Sequence, residues 1–288
     1  MKTRPFLLHA LSPLHAGTGH AADVIDLPTA RMKATGVPFV PGSSIRGVLR
    51  DVRKATAGDA TYVLAVFGPE TGNASDHAGA LVIGDARLLA LPVRSFRGTF
   101  AWATSPLLLT LAKRDFDGLG NQPIPSIPGR GARLADKNCI FNSHLYLEDL
   151  DLPAEESKEA AAWARVLAPL VFPDDDIFAK RFTVVDDETM TFLWETATQV
   201  DARVRLDETT RTVASGALWL EESLPPETLL IGLLVADRSR RKGVVMDADG
   251  VLDFALKSEE TLQFGGKAST GRGRCRMIPV PPQGASKS

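Results

Sequence analysis

The stretch PLHAGTGHAADVIDLPTAR, Pro13 to Arg31, holds two histidines, a Gly-Thr-Gly turn and two aspartates within nineteen residues. Imidazoles and carboxylates are the side chains that most readily move protons, and a carboxylate is also a ligand for hard cations. Asp23 and Asp26 are therefore candidates for assisting proton transfer at a phosphodiester or for holding a divalent metal, with His15 nearby. The spacing alone does not specify catalysis. An aspartate in a loop more often closes a turn, and the chain shows no Ser-His-Asp or Cys-His spacing.

Two further clusters could bind an anion. GGKASTGRGR, Gly265 to Arg274, contains four glycines, two hydroxyls and three cations in ten residues. Glycines let a backbone approach a phosphodiester closely and turn N–H groups toward its oxygens, while Lys267, Arg272 and Arg274 neutralise charge. It does not follow the Walker pattern, which needs Gly-Lys-Ser/Thr at a helix start. The third cluster, PGSSIRG, places Ser43, Ser44 and Arg46 where a helix should begin, and helix N-termini attract anions.

These groups need elements to hold them. Ile45, Val48, Leu49 and Val52 recur at helical spacing, and Arg46, Arg50, Arg53 and Lys54 occupy another face, so a basic amphipathic helix is expected with Ser43 or Ser44 as N-cap. PFLLHALS at residues 5–12 alternates like a strand. ALVIGDARLLALPV at 80–93 reads as a strand pair with a tight turn. The second half of SFRGTFAWATSPLLLTLAKRD reads as a helix, 115–135 as a long loop, and Glu155–Leu167 as a short helix. From Phe182 to Asp201 strand-like and polar segments alternate. VASGALWLEESL and TLLIGLLVAD read as strands, and the glycine-rich loop has a strand on either side. The pattern favours an α+β fold with a mostly antiparallel sheet.

Composition narrows the class. The 288 residues are 44% hydrophobic and 24% charged, enough for a sizeable core in one large domain with insertions or two small ones. The formal charge is −2, which argues weakly against indiscriminate nucleic-acid binding, but the charges are sorted. Arg31 to Lys54 has six basic residues and one acid, Lys267 to Arg276 four basic residues and none. Acids gather at Asp174–Asp176, Asp186–Glu188 and Glu221–Glu222. Separate basic and acidic faces suit a protein that binds an anion and packs against copies of itself. The N-terminal MKTRPFLLHALSPLHAG loosely imitates a leader, but His9 and Pro13 break it and it reads as a core strand. No apolar run reaches the length of a membrane span. Cys139 and Cys275 form no CxxC pair, so a reducing cytoplasm is the expected setting and a zinc site is not expected.

The ordered set PLHAGTG, IDLPTAR, GVPFVPGSSIRGVLRD, VFG, GALVIGDARLLALPVRSFRGTFAWATSP, RVRLDETTRTVASGALWLEESLPPETLL and FGGKASTGRGRCR resembles the RAMP superfamily of CRISPR systems. Within it the resemblance is to the backbone subunits of Cmr-type (type III-B) effector complexes, and it spans about residues 4–280. It implies an RRM-like (ferredoxin-like) palm bearing finger- and thumb-like insertions: one domain over 1–288, with insertions at about 108–150 and 155–212 and a flexible tail at 281–288. Copies of such a subunit stack along a guide RNA together with other Cmr-type subunits. A thumb, here expected in 115–135 or 178–212, interrupts the guide–target duplex. Complementary target RNA is cut once per interruption, with Mg²⁺ or another divalent metal.

Carried onto this chain, the cleaving and metal-binding aspartate corresponds to Asp26, in Ile-Asp-Leu-Pro; Asp23 lacks the matching context. Ser43, Ser44 and Arg46, where many relatives have lysine, match the guide-binding helix start, with Arg50 one turn on. Gly265, Gly266, Lys267, Gly271 and Arg272 match the signature loop, followed by Arg274. His15, Glu221 and Glu222 are secondary candidates for assisting cleavage. The alternatives are a non-cleaving scaffold subunit, the sister Csm-type subunit, and a stand-alone guide-processing endoribonuclease.

Overall fold

The computed structural model describes residues 1–17, 25–70, 76–115, 119–206 and 211–281. The chain begins with β1 (Lys2–Ala10), β2 (Phe39–Val40), α1 (Gly42–Thr56), α2 (Ala60–Phe67), β3 (Leu81–Ile83), β4 (Ala86–Arg94), β5 (Phe100–Thr104) and α3 (Pro106–Asp115). It continues through β6 (Ala132–Leu134), β7 (His144–Leu147), β8 (Leu150–Glu156), α4 (Lys158–Val171), β9 (Phe182–Val185) and α5 (Asp187–Thr196). The last elements are β10 (Gln199–Leu206), β11 (Val213–Ser223), β12 (Leu229–Ala236), α6 (Ala248–Leu256), β13 (Glu260–Gln263) and β14 (Arg274–Pro279).

β1 is apolar because both its faces are covered. Phe6 and Leu8 join one core cluster with Ile45 and Leu49 of α1 and Leu252 and Leu256 of α6, while Leu7 joins a second with Trp102 and Phe182. A strand buried on both sides reads as a continuous apolar run. β1 pairs antiparallel with β12 on one side and with β14 on the other, and β12 pairs antiparallel with both β3 and β4. The units β1–α1–β3/β4 and β12–α6–β14 therefore interleave in the order β14-β1-β12-β3/β4. That is the split βαβ arrangement of the ferredoxin-like fold, and it bears out the expected α+β palm.

Between β4 and β12 the sheet grows outward through β5, β9, β6, β8 and β7, with the pairs β5/β9 and β6/β8 parallel. Trp102, Trp163, Phe178 and Phe182 fill one side of this extension, and Leu91, Leu145, Met190 and Trp194 another. β10 and β11 leave the main sheet and form a two-stranded ribbon of their own.

Several local expectations change in this context. Residues 80–93 are not a hairpin: β3 and β4 lie end to end along one edge of β12. The Gly84 N–H donates to Leu233 O at 2.9 Å in the gap between them, so Gly-Asp marks a break rather than a reversal. The loop at 115–135 ends in β6. The helix expected from Glu155 starts at Lys158, because Ser157 caps it and β8 runs to Glu156. The segment after Phe182 contains α5, capped by Asp186 through the Thr189 N–H at 2.8 Å. Its Thr, Phe and Trp residues are weak helix formers, which hides it locally. Within the expected tail, residues 282–288 lie outside the described residues. Among the described residues no helix is long and apolar enough to cross a membrane.

Candidate functional site

The described ends of the Pro13–Arg31 stretch lie together against the end of β11. Leu14 N–H donates to Leu224 O at 2.9 Å, Leu27 N–H to Leu220 O at 3.1 Å, Glu222 N–H to Leu27 O at 3.0 Å and Ala30 N–H to Ala16 O at 2.7 Å. His20 and Asp23 fall in 18–24, outside the described residues. Asp26 is exposed, and its Oδ2 accepts the Leu220 backbone N–H at 2.8 Å. One oxygen is thereby fixed to the ribbon and Oδ1 is left for solvent or substrate.

His15 Nδ1 lies 2.7 Å from Glu222 O. A carbonyl oxygen only accepts, so the geometry places a proton on Nδ1, and in the neutral ring Nε2 is the nitrogen with the lone pair. Nε2 lies over Gly17, where an added Cβ would come within 2.6 Å of it. The first glycine of the Gly-Thr-Gly turn is thus what makes room for the imidazole.

Glu221 and Glu222 point away from solvent. Glu222 Oε2 accepts the Thr29 N–H at 2.8 Å and Oε1 pairs with Arg31 Nη2 at 2.5 Å, while Arg31 also donates to Trp194 O at 2.9 Å. Glu221 is fully buried and receives the Lys267 ammonium. As placed, neither carboxylate is open to a substrate; both hold neighbouring segments in position.

The helix start differs from expectation. Pro41 is the N-cap, no side chain caps the helix from that position, and Ser43 and Ser44 sit exposed in its first turn. Asp85 Oδ1 accepts the Gly42 N–H at 2.8 Å, and Pro41 O accepts from Ser44 N and Ile45 N at 2.9 and 3.1 Å. The carboxylate of Asp85 therefore already occupies part of the anion-attracting end. On the basic face, Arg46 donates to Phe67 O, and burial together with the neighbouring Arg50 lowers its pKa. Arg53 staples α1 to Phe254 O and Ala255 O at 2.7 and 2.9 Å and to Glu260, and Lys54 pairs with Glu70 at 2.8 Å. Arg50 stands apart: it is mostly buried, 3.6 Å from Glu70, and its Nε and Nη2 have no hydrogen-bond partner among the described residues.

In the glycine-rich loop, Lys267 and Arg272 are turned inward, Lys267 to Glu221 and Arg272 to Asp201 and to Ser223 Oγ at 2.8 Å. Arg274 is exposed and its guanidinium has no partner among the described residues. Gly265, Gly271 and Gly273 adopt φ of +72°, +78° and +74°. A Cβ at Gly265 would collide with the His15 carbonyl, one at Gly273 with the Phe264 carbonyl, whereas the space beside Gly266 and Gly271 is open.

His15, Ala16, Gly17, Leu27, Pro28, Val40, Ser44, Gly265 and Gly266 line one pocket of about 320 Å³. All three sequence clusters therefore contribute to one wall system, with Asp26 next in the chain to Leu27. A larger cleft of about 710 Å³ lies at the start of α5, lined by Arg130, Asp187, Glu188 and Phe192. None of the sequence candidates lines it. The residues missed from the sequence are Arg31, Thr29, Asp201, Arg203 and Asp85. Asp201 and Arg203 alternate in Gln-Val-Asp-Ala-Arg-Val-Arg, a period-two charge pattern that could have marked a polar strand face.

A split βαβ palm with a glycine-rich loop beside the first strand's exit is the architecture of a RAMP protein, and the superfamily profile matches residues 7–276. The chain belongs to the RAMP superfamily, and within it to the Cmr4 family. It is 31% identical over 275 residues to the CRISPR system Cmr endoribonuclease Cmr4 of Pyrococcus furiosus, a match covering 92% of each chain. Its fold matches the crystal structure of oligomeric Cmr4 from Pyrococcus furiosus with a TM-score of 0.76 at 24% identity, over 98% of this chain and 100% of that one. A chain of the type III-B Cmr-beta complex bound to cognate target RNA, seen by cryo-electron microscopy, matches with a TM-score of 0.76 at 19% identity, over 97% and 98%.

Proposed function

We propose that this chain is the backbone subunit of a type III-B, Cmr-type CRISPR effector complex. Copies line up along a guide RNA in the cytoplasm, beside other Cmr-type subunits, and cut complementary target RNA at regular intervals. Membership of the Cmr4 family supports this, and the relative at 31% identity is itself named an endoribonuclease. The observation that carries it is the meeting of the Asp26 loop, the start of α1 and the glycine-rich loop around one pocket.

In this account Ser44, Gly265 and Gly266 admit the guide backbone, and Arg50 and Arg274 neutralise its phosphates. Sequence is read by base pairing, so the protein needs to recognise only backbone and shape. The β10–β11 ribbon, whose first strand falls in 178–212, acts as the thumb that interrupts the duplex. It carries Leu220, the residue that holds Asp26, so the cut falls beside the interruption. Splaying the target there frees a 2′-hydroxyl to attack the adjacent phosphorus in line as the 5′-oxygen leaves. Alignment of this kind can supply much of the acceleration. Asp26 Oδ1 accepts the hydroxyl proton or orients the attacking group.

Among the described residues no three His, Cys, Asp or Glu side chains gather as metal ligands. The free Oδ1 of Asp26 is the carboxylate oxygen here that would hold a hard divalent ion such as Mg²⁺, as an alternative to taking the proton itself. Bound so, the ion would neutralise charge at the reacting phosphate.

The test is reconstitution with guide RNA and partner subunits. Regularly spaced cuts in a complementary RNA, and none in a non-complementary one, are expected, and they should cease on chelation. A complex that binds target and leaves it intact contradicts the nuclease role.

A further inference from the structure

The charge network behind Asp26 has no part in the proposed chemistry, yet it is the most heavily buried one around the site. Its centre is Glu221, which has no exposed surface. Lys267 donates to Oε2, Arg203 Nε stands 3.7 Å from that oxygen, and Arg272 Nη1 stands 3.9 Å from Oε1. Arg272 also holds Asp201 and Ser223. Both inward-turned cations of the glycine-rich loop are thus anchored on the ribbon.

The residues on either side of Glu221 set the candidate catalytic groups. Leu220 N–H holds Asp26, and Glu222 holds His15 through its carbonyl and Thr29 and Arg31 through its carboxylate. Among the described residues the network is also short of acid, with Lys267, Arg203 and Arg272 facing Glu221 and Asp201. Glu221 Oε1 and Arg203 Nε are buried without a hydrogen-bond partner among the described residues. Lys267 itself sits at φ +65°, a conformation uncommon for a side-chain-bearing residue. Partly satisfied buried networks are costly and re-pair when a better partner arrives.

We propose that Glu221 is a positioning residue that couples occupancy of the glycine-rich loop to Asp26; this rests on the reading that Asp26 cuts target and the loop grips the guide. A guide phosphate at the loop draws Lys267 outward and transfers Glu221 to Arg272 and Arg203. The end of β11 is then held more firmly in the register from which Leu220 already holds Asp26. Glu221 touches no RNA and acts through the strand.

The experiment compares wild type, Glu221→Gln, Asp26→Asn and the double variant Glu221→Gln/Lys267→Met in the guide-loaded complex. It reads single-turnover cleavage, target affinity, melting temperature, and amide hydrogen exchange with and without guide RNA. In wild type the guide should slow exchange in 217–223 as well as in 265–274. Glu221→Gln should keep the loop protection and hold target affinity within about twofold, lose the strand protection, and cleave about tenfold or more slowly. The double variant removes the lysine left uncompensated, and should melt like wild type while its strand stays uncoupled. Wild-type cleavage by Glu221→Gln, or persistent guide protection of 217–223 in either variant, overturns the coupling while an inactive Asp26→Asn leaves the site reading standing. If Asp26→Asn cleaves like wild type, the site reading itself falls and the coupling with it.

Discussion

Asp26 Oδ2 accepts the backbone N–H of Leu220 at 2.8 Å, joining a loop carboxylate to a strand 194 positions later. The donor is main chain, so the carboxylate's position depends on strand register rather than on a partner side chain. Lengthening the acid should therefore be as informative as deleting it. Asp26→Glu keeps the charge but moves the oxygens by about one bond, and misplacements near 1 Å can cost about 100-fold in rate. Single-turnover cleavage should fall by that order in Asp26→Glu and stay near wild type in Leu220→Val.

The glycine-rich loop predicts a contrast between adjacent residues. Gly265 has φ +72° and no room for a Cβ, while Gly266 has open space beside it. Gly265→Ala should destabilise the protein by about 1–3 kcal/mol, the usual cost of holding a residue in such a conformation. Gly266→Ala should leave the melting temperature unchanged and weaken guide binding, because the added methyl narrows the pocket. Thermal denaturation and guide-binding titrations on both variants check this.

The same loop shows where sequence reading stops. Its glycines and flanking strands, the basic helix over residues 42–56, and the strands 213–223 and 229–236 are all legible, because turn chemistry and apolar periodicity are local signals. What Lys267 and Arg272 bind is not legible. Their partners Glu221 and Asp201 lie 46 and 71 positions away, and a cation in a glycine-rich loop looks alike whether it faces phosphate or a buried acid. The N-cap fails for a related reason: Asp85, 43 positions from Gly42, supplies what Ser43 or Ser44 was expected to supply. Asp26 stood out only through the resemblance to RAMP proteins, since its anchoring donor is a backbone amide with no signature.

Arg50 carries the electrostatic prediction. Its Nε and Nη2 are unbonded among the described residues and Nη2 stands 3.6 Å from the exposed Glu70, so a phosphate that displaces Glu70 would supply the missing acceptor. Arg50→Gln should weaken guide binding equally across guide sequences and lower the slope of log K against log salt by about one. Filter binding at several salt concentrations measures both quantities. Arg53→Gln should instead lower the melting temperature and leave that slope alone, since Arg53 is held by Phe254, Ala255 and Glu260.

Acid should loosen the ribbon before the palm's apolar core fails. The Arg272 hydrogen bond holds the Asp201 carboxyl of the ribbon below its usual range. A depressed folded-state pKa stabilises above the ordinary carboxylate value, about 4, and that stabilisation is lost as pH falls through the folded value. Melting temperature should drop from pH 5 toward pH 3 (about the range set by those values), and more shallowly in Asp201→Asn. A variant with wild-type acid dependence would contradict the role given to the Arg272 pair.

The most direct test of the central claim is cleavage of a labelled complementary RNA by the guide-loaded complex, wild type beside Asp26→Ala, with and without Mg²⁺. Asp26→Ala is expected to bind target as wild type does and to lose every regularly spaced cut. If those cuts persist at the wild-type rate, Asp26 is not the cleaving residue and the site assigned to this chain is wrong.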